Sequence, residues 1–445
     1  MVGLTRRQLL GYGVAGLSAA LLAGCASPAL TRPGAAALKP AARAGERVTL
    51  TYWTWLKDMQ QVANMWNRDN PDIRVNVVPI PQGNSGGYQK MYAALAAGGG
   101  PDLAHVELRT IPEFLLAGGL TNLSDYGADT LSSRYDPTLW GQVSYLDGVY
   151  GIPQDSGPMA LYYHRPLFDR VGADAPTTWD QWADIAVELR KAKAWIDCFS
   201  LSDAGPFAAF ATQAGARWFT RGAGGWEINL LDEATLEVAR FFDSALDRDL
   251  LITGYGAFSP PWSAAAAKDQ IASLTSASWA DSILADVHGG AGKWRVAPMQ
   301  RWANRGFGSS ALGGSTVAVL AHSEHPHEAL RFATWLTSSR EGIDAEIASG
   351  IGWSPTPDYI GAARTQPVPF FDGQNYNEEI MRPAAADQNP DWEWWPLTFQ
   401  SYNILADEFR KKAGGQSLVD GLRNAENQII TAMKNKGLTI TKAAR

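Results

Sequence analysis

Val48-Thr49-Leu50-Thr51-Tyr52-Trp53, Ile73-Arg74-Val75-Asn76-Val77-Val78-Pro79-Ile80 and Pro101-Asp102-Leu103-Ala104-His105-Val106 decide the fold. Each is short and rich in β-forming residues, and the first alternates polar with apolar side chains. Helical patterns separate them at Lys57–Asp69 and Tyr88–Ala97, and a third follows at Thr110–Ala117. Strand, helix, strand, helix, strand at this spacing predicts βαβ units and a parallel sheet. Such sheets hold ligands beyond the carboxyl ends of their strands. That rule points at Trp53–Lys57, Pro81–Gly87 and Glu107–Arg109.

Further along, the pattern restarts after Gly148-Val149-Tyr150-Gly151-Ile152-Pro153, with Met159–His164 as a strand. Thr178-Trp179-Asp180-Gln181 predicts a capping box opening a helix to about Ala194. Helices are expected over most of Asp203–Leu250, and strands at Ile271–Trp279, Trp294–Pro298 and Ser315–Ala321. Pro326 starts an amphipathic helix over Glu328–Ser338. A last helix runs from Ser417 to about Lys436, with Leu418, Leu422, Ala425, Ile429 and Met433 on one face.

The chain has 445 residues, 46% hydrophobic and 19% charged, enough to bury two or three cores. Net charge is −7 with no basic stripe, which argues against nucleic acid as a partner. Tryptophan is abundant, with 18 residues against 15 Phe and 14 Tyr. Its flat face and single N–H serve a core or a flat ligand equally well.

The amino terminus reads as an address. Thr5-Arg6-Arg7-Gln8-Leu9-Leu10 resembles a twin-arginine export motif, and the apolar run that follows is short for a membrane span. Leu22-Ala23-Gly24-Cys25 resembles a lipoprotein lipobox. Residues 1–24 are expected to be a signal peptide, Cys25 the acylated new terminus, and 25–45 a flexible tether. Loss of Arg6 and Arg7 would take the charge from −7 to −9. Cys198 then remains as a lone thiol, read as a small buried hydrophobe.

Several phrases in order resemble the carbohydrate-binding group of ABC-importer solute-binding proteins, the maltose-binding-protein-like group. They are Gly98-Gly99-Gly100-Pro101-Asp102-Leu103 with Leu116–Leu123, and Asp147–Pro153 with Leu161-Tyr162-Tyr163-His164. Pro176–Gln181, Gly313-Gly314-Ser315 and His325–Ala329 complete the set. The resemblance covers residues 47–437. It implies an α/β, two-lobed periplasmic-binding-protein-like fold with three hinge crossings and a central ligand cleft. Lobe 1 would be 46–153 plus 299–352, and lobe 2 154–298 plus 353–445. The crossings would fall at Ile152–Asp155, near Ala297-Pro298, and near Gly352–Pro355.

The implied ligand is a di- or oligosaccharide, taken without cofactor or metal. It would be delivered to permease subunits driven by separate ATPase subunits, since no G-x-x-x-x-G-K-[ST] occurs here. The protein itself would be a monomer, lipid-anchored on the extracytoplasmic face of the membrane. A sugar shows a face of C–H groups and an edge of hydroxyls, so its site needs aromatics and charged or amide groups. Expected ligand contacts are Trp55, Gln82, Asn84, Tyr88, Glu107 and Arg109, then Asp155, Ser156, Trp279, Gly313, Gly314 and Ser315, then Trp353, Trp394 and Trp395. Trp53 is expected to face the core and Trp55 the cleft. Asp102 is read as structural.

Gly83-Asn84-Ser85-Gly86-Gly87 matches G-x-S-x-G, but Pro79 and Pro81 interrupt the strand-to-turn junction a nucleophile elbow needs. Glu107 with Asp155 could serve a glycosidase. Tyr162-Tyr163 suits a ferric site, except that successive strand residues face opposite ways, and His322, His325 and His327 suit a solvated helix start. A polyol or glycerophosphodiester would fit the same fold.

Overall fold

The computed structural model describes residues 38–83, 86–146, 148–222 and 224–443. Residues 1–24, expected to be a signal peptide, and Cys25, Asn84 and Ser85 lie outside the described residues. Strands form where the β-rich runs predicted them: β1 (Val48–Thr54), β2 (Ile73–Pro79) and β3 (Leu103–Glu107). They join β4 (Ile152–Asp155) and β8 (Ser315–Val319) in a five-stranded sheet ordered β2-β1-β3-β8-β4. The first three pair in parallel, as the βαβ pattern requires. Entering from far along the chain, β8 runs antiparallel to both its neighbours. Val48, Leu50 and Tyr52 of β1 point inward onto helices Met59–Asp69 and Pro326–Ser338, where the Trp66 and Phe332 rings meet at 5.7 Å.

Asp102 is structural as expected. One carboxylate oxygen accepts from the Thr51 N–H and hydroxyl, the other from Ser323.

A second sheet carries β5 (Met159–His164) between β6 (Ser273–Ala277) and β7 (Trp294–Pro298), antiparallel throughout. Its two faces separate adjacent tyrosines. Tyr162 packs with Trp262 and Trp294, whereas Tyr163 packs with Phe168 and Trp179, so the pair cannot share one metal. Among the described residues no group of three His, Cys, Asp or Glu side chains could hold a metal ion, and His327 stands edge-on to Tyr126. No helix among them is long and apolar enough to cross a membrane.

Three expectations need correction. The second crossing lies at Leu312–Ser315 rather than Ala297-Pro298, because Met299 and Trp302 pack into the second lobe's core and Ser309 bonds both backbone groups of Met159. Residues 219–228 form a hairpin, Phe219–Gly222 with Gly225–Ile228, inside the stretch expected to be helical. Trp53 is half-buried with the Lys90 ammonium 4.3 Å from its ring, because Tyr52 occupies the inward position.

The last helix spans Leu418–Asn435 and buries the whole predicted face. Its first turn is capped by Ser417, whose hydroxyl accepts from the Asp420 N–H at 3.0 Å. Replacing Ser417 by Ala leaves that donor to water and should lower unfolding free energy by about 1 kcal/mol in urea titrations. An unchanged midpoint would show the cap to be idle. The capping box at Thr178 is shifted: its hydroxyl accepts from the Gln181 N–H, but Gln181 reaches back to Thr177 instead of Thr178.

Candidate functional site

A cavity of 640 Å³ opens between the lobes, beyond the carboxyl ends of β2 and β3. From lobe 1 it takes Gln82, Glu107 and Arg109, together with Asp136 and Gln142 at the two ends of helix Pro137–Val143. Lobe 2 supplies Ser156, Asp203, Trp279, Trp353, Trp392, Trp394 and Tyr402, and Gly313 lies on the second crossing.

Glu107 ends β3, so the strand aims it outward, and the tight turn at Leu108–Thr110 brings Arg109 back beside it. The Arg109 Nη2 donates to Glu107 Oε2 at 2.9 Å, and the Tyr88 hydroxyl donates to the same oxygen at 2.6 Å. Both side chains are about one-sixth exposed, at 17% for Arg109 and 16% for Glu107. Burial would raise the Glu107 pKa, but the Arg109 charge and the two hydrogen bonds outweigh it and hold the carboxyl below its usual range. Burial likewise works against the Arg109 charge, and Glu107 outweighs it there too. Arg109 Nε is buried without a hydrogen-bond partner among the described residues. Its guanidinium also lies 5.6 Å from the Tyr402 ring across the lobe boundary. A carboxylate acceptor and a guanidinium donor therefore sit side by side at the cavity wall, which suits a hydroxyl that both gives and takes a hydrogen bond.

The opposite wall is aromatic. Trp279 follows β6 and is anchored by its indole N–H to the Leu312 carbonyl at 2.9 Å. Trp394 donates to Gln142 Oε1 at 3.0 Å, a direct bond from one lobe to the other. Trp353 is buried with one side on the cavity.

Several expected contacts do not reach the cavity wall. Tyr88 is buried and spends its hydroxyl on Glu107. Trp55 packs its edge on Tyr88 and its ring 4.2 Å from His105. Trp395 is fully buried, stacked on Phe219 and bonded to Ser401, whereas Trp392 and Trp394 reach the cavity. Asp155, Ser315 and Gly314 lie inside the crossings: Asp155 accepts from the Ser315 hydroxyl and from the Gly352 N–H. Burial pushes the Asp155 carboxyl up to about 6 against those bonds. Asn84 lies outside the described residues. Gln82, Glu107, Arg109, Ser156, Trp279, Gly313, Trp353 and Trp394 do line the cavity. Asp136, Gln142, Asp203, Trp392 and Tyr402 were not anticipated. For Trp392 a signal existed, since period-two spacing pairs it with Trp394.

The family described as bacterial extracellular solute-binding protein matches residues 52–343. A lactose-binding protein of Rhizobium radiobacter is 27% identical over 379 residues, 80% of this chain and 85% of that one. An arabinooligosaccharide-binding protein of Halalkalibacterium halodurans is 22% identical over 320 residues, 69% and 71% of the two chains. Among solved structures, an ABC-transporter-associated binding protein of B. animalis subsp. lactis in complex with beta-1,6-galactobiose is 26% identical. It aligns with a TM-score of 0.76 over 89% of this chain and 100% of that one. The galacto-N-biose-/lacto-N-biose I-binding protein of Bifidobacterium longum aligns with a TM-score of 0.81 at 23% identity, over 89% and 100% of the chains. With matching sequence over most of its length and the same two-lobed architecture, the chain belongs to the bacterial extracellular solute-binding protein family.

Proposed function

We propose that this protein captures a di- or oligosaccharide between its lobes and delivers it to the permease of an ABC importer. The observation that carries the reading is the placement of the Glu107–Arg109 ion pair and of Trp279, Trp353 and Trp394 on the wall of one cavity of 640 Å³. That combination suits a sugar's hydroxyl edge and C–H face, and the volume falls in the range of small-molecule sites. The saccharides named for the relatives above support the same class of ligand. Closure would be rigid-body rotation about the crossings at 152–155, 312–315 and 352–355, with contacts from both lobes favouring the closed form.

A binding role also agrees with the carboxylates. Asp155, the carboxylate paired with Glu107 in the glycosidase reading of the sequence, is engaged inside the crossings, away from the cavity. Transport would draw on ATP in separate subunits, and the binding protein would act as a monomer. A thermal-shift panel of mono-, di- and trisaccharides, glycerophosphodiesters and polyols tests the ligand class. A saccharide at a hundredfold excess over its Kd adds about 2.7 kcal/mol to unfolding. A shift with polyols or glycerophosphodiesters and none with saccharides would overturn the sugar assignment.

The lipobox-like Leu22–Cys25 supports a mature chain on the extracytoplasmic face of the membrane, held by acyl chains on Cys25. Several chains anchor stably where one does not. Replacing Cys25 by Ala should move the protein from the membrane to the soluble fraction, whereas unchanged membrane retention would contradict the anchor.

A further inference from the structure

Three segments cross between the lobes, and one side chain touches all of them. Asp155 ends β4 on the first crossing. One carboxylate oxygen accepts from the hydroxyl of Ser315, where the second crossing enters β8, and the other accepts from the Gly352 N–H of the third at 3.0 Å. Backbone bonds continue the arrangement outward. Ser156 and Trp353 exchange N–H and carbonyl at 2.9 and 2.8 Å, and the Leu312 N–H reaches the Gly157 carbonyl at 2.9 Å. The pairing register between β8 and β4 shifts between Ser315 and Thr316, so the irregularity falls at the same place.

The third crossing is also held from its other side. Buried Arg364 donates to the Ile351 carbonyl at 2.8 Å and lies 5.6 Å from the Trp353 ring. Gly352 leaves no space here, since a Cβ would collide with Asp155 Oδ2 and the Ser156 carbonyl. Asp155 itself does not line the cavity.

We infer that Asp155 is a positioning residue for lobe closure: its carboxylate ties the three crossings together so that they turn as one hinge. A carboxylate offers two acceptor oxygens, one for each of the other crossings. With the tie in place, the dihedral changes of opening are shared and the lobes keep a narrow range of angles. Without it each crossing bends separately, and the ligand-free protein spreads over more open arrangements. The binding-competent fraction then falls, and apparent affinity falls with it. This inference rests on the lobe-closure reading above, but part of its test needs no ligand.

Asp155→Asn keeps the shape and leaves one acceptor oxygen for two donors. Small-angle scattering of the ligand-free protein should give a larger radius of gyration than wild type. Calorimetry with the saccharide found in the thermal-shift panel should show a Kd raised about tenfold. Ser315→Ala keeps the carboxylate and removes one donor, so it should move both readouts the same way by less. Near-UV circular dichroism reports whether each variant is folded. If Asp155→Asn fails to fold, Ser315→Ala decides alone. A ligand-free radius equal to wild type in the folded variants would overturn the inference, as would an unchanged Kd beside an unchanged radius. If wild type binds no saccharide, the functional reading falls, while the ligand-free radius still decides the role of Asp155.

Discussion

Arg109→Met should abolish measurable saccharide binding and cost about 3 kcal/mol or more of stability. The guanidinium is the only basic group bonded to Glu107 among the described residues, and Glu107 is 16% exposed. Removing one partner of a buried pair strands the other, which costs about 3–5 kcal/mol when burial is complete. The residual exposure puts this site near the low end. Charged hydrogen bonds to ligand of about 1.5–3 kcal/mol each are lost as well.

The variant should also change how stability depends on pH. In the wild type the Glu107 pKa lies below its unfolded value, so its contribution is present above the unfolded pKa and is lost as pH falls through the folded one. With Arg109 gone, burial dominates and the folded pKa rises. Stability should then fall as pH climbs above the unfolded value, and the variant should be closest to wild type in acid. Urea titrations from pH 4 to 8 read this directly. A constant difference between the two proteins across that range would mean that Glu107 does not depend on Arg109. Equal saccharide affinity would remove the pair from the site.

Trp279→Ala carries the second large effect. The indole lies on the cavity wall, fixed by its bond to Leu312 and by the Phe258 ring at 5.5 Å. Losing a large aromatic contact should weaken binding by about 1–3 kcal/mol, roughly a ten- to hundredfold rise in Kd. Folding should persist, because Trp279 is only partly buried against the cores rather than a member of either. Trp395→Ala provides the contrast. That ring is fully buried against Phe219 and Tyr402, so its loss should cost about 3–5 kcal/mol of stability. Calorimetry and denaturant titration on both variants separate the two roles. Wild-type affinity in Trp279→Ala would displace the aromatic wall from the binding site.

The parts of this fold legible in the sequence are those set by local pattern. Runs of β-forming residues located β1 to β3, and helical periodicity located the face of Leu418–Asn435 that is buried. Pattern does not say which face meets which neighbour. Alternation correctly separated Tyr162 from Tyr163, yet it could not tell that Tyr52 rather than Trp53 points to the core. The hairpin at 219–228 was hidden in a stretch whose flanking helices are real. Asp155 looked like a ligand contact because it follows a crossing phrase, but three backbone segments converge there and consume both oxygens. Asp136, Gln142, Asp203 and Tyr402 come from segments far apart in the chain, and only tertiary packing brings them to one cavity.

A crystal structure of the protein with the best saccharide from the thermal-shift panel tests the central claim most directly. It should show one saccharide between the lobes, with hydroxyls on the Glu107 carboxylate and the Arg109 guanidinium and a sugar face against Trp279. Density for the saccharide elsewhere on the protein, with the wall of Glu107, Arg109 and Trp279 left to water, would contradict the account.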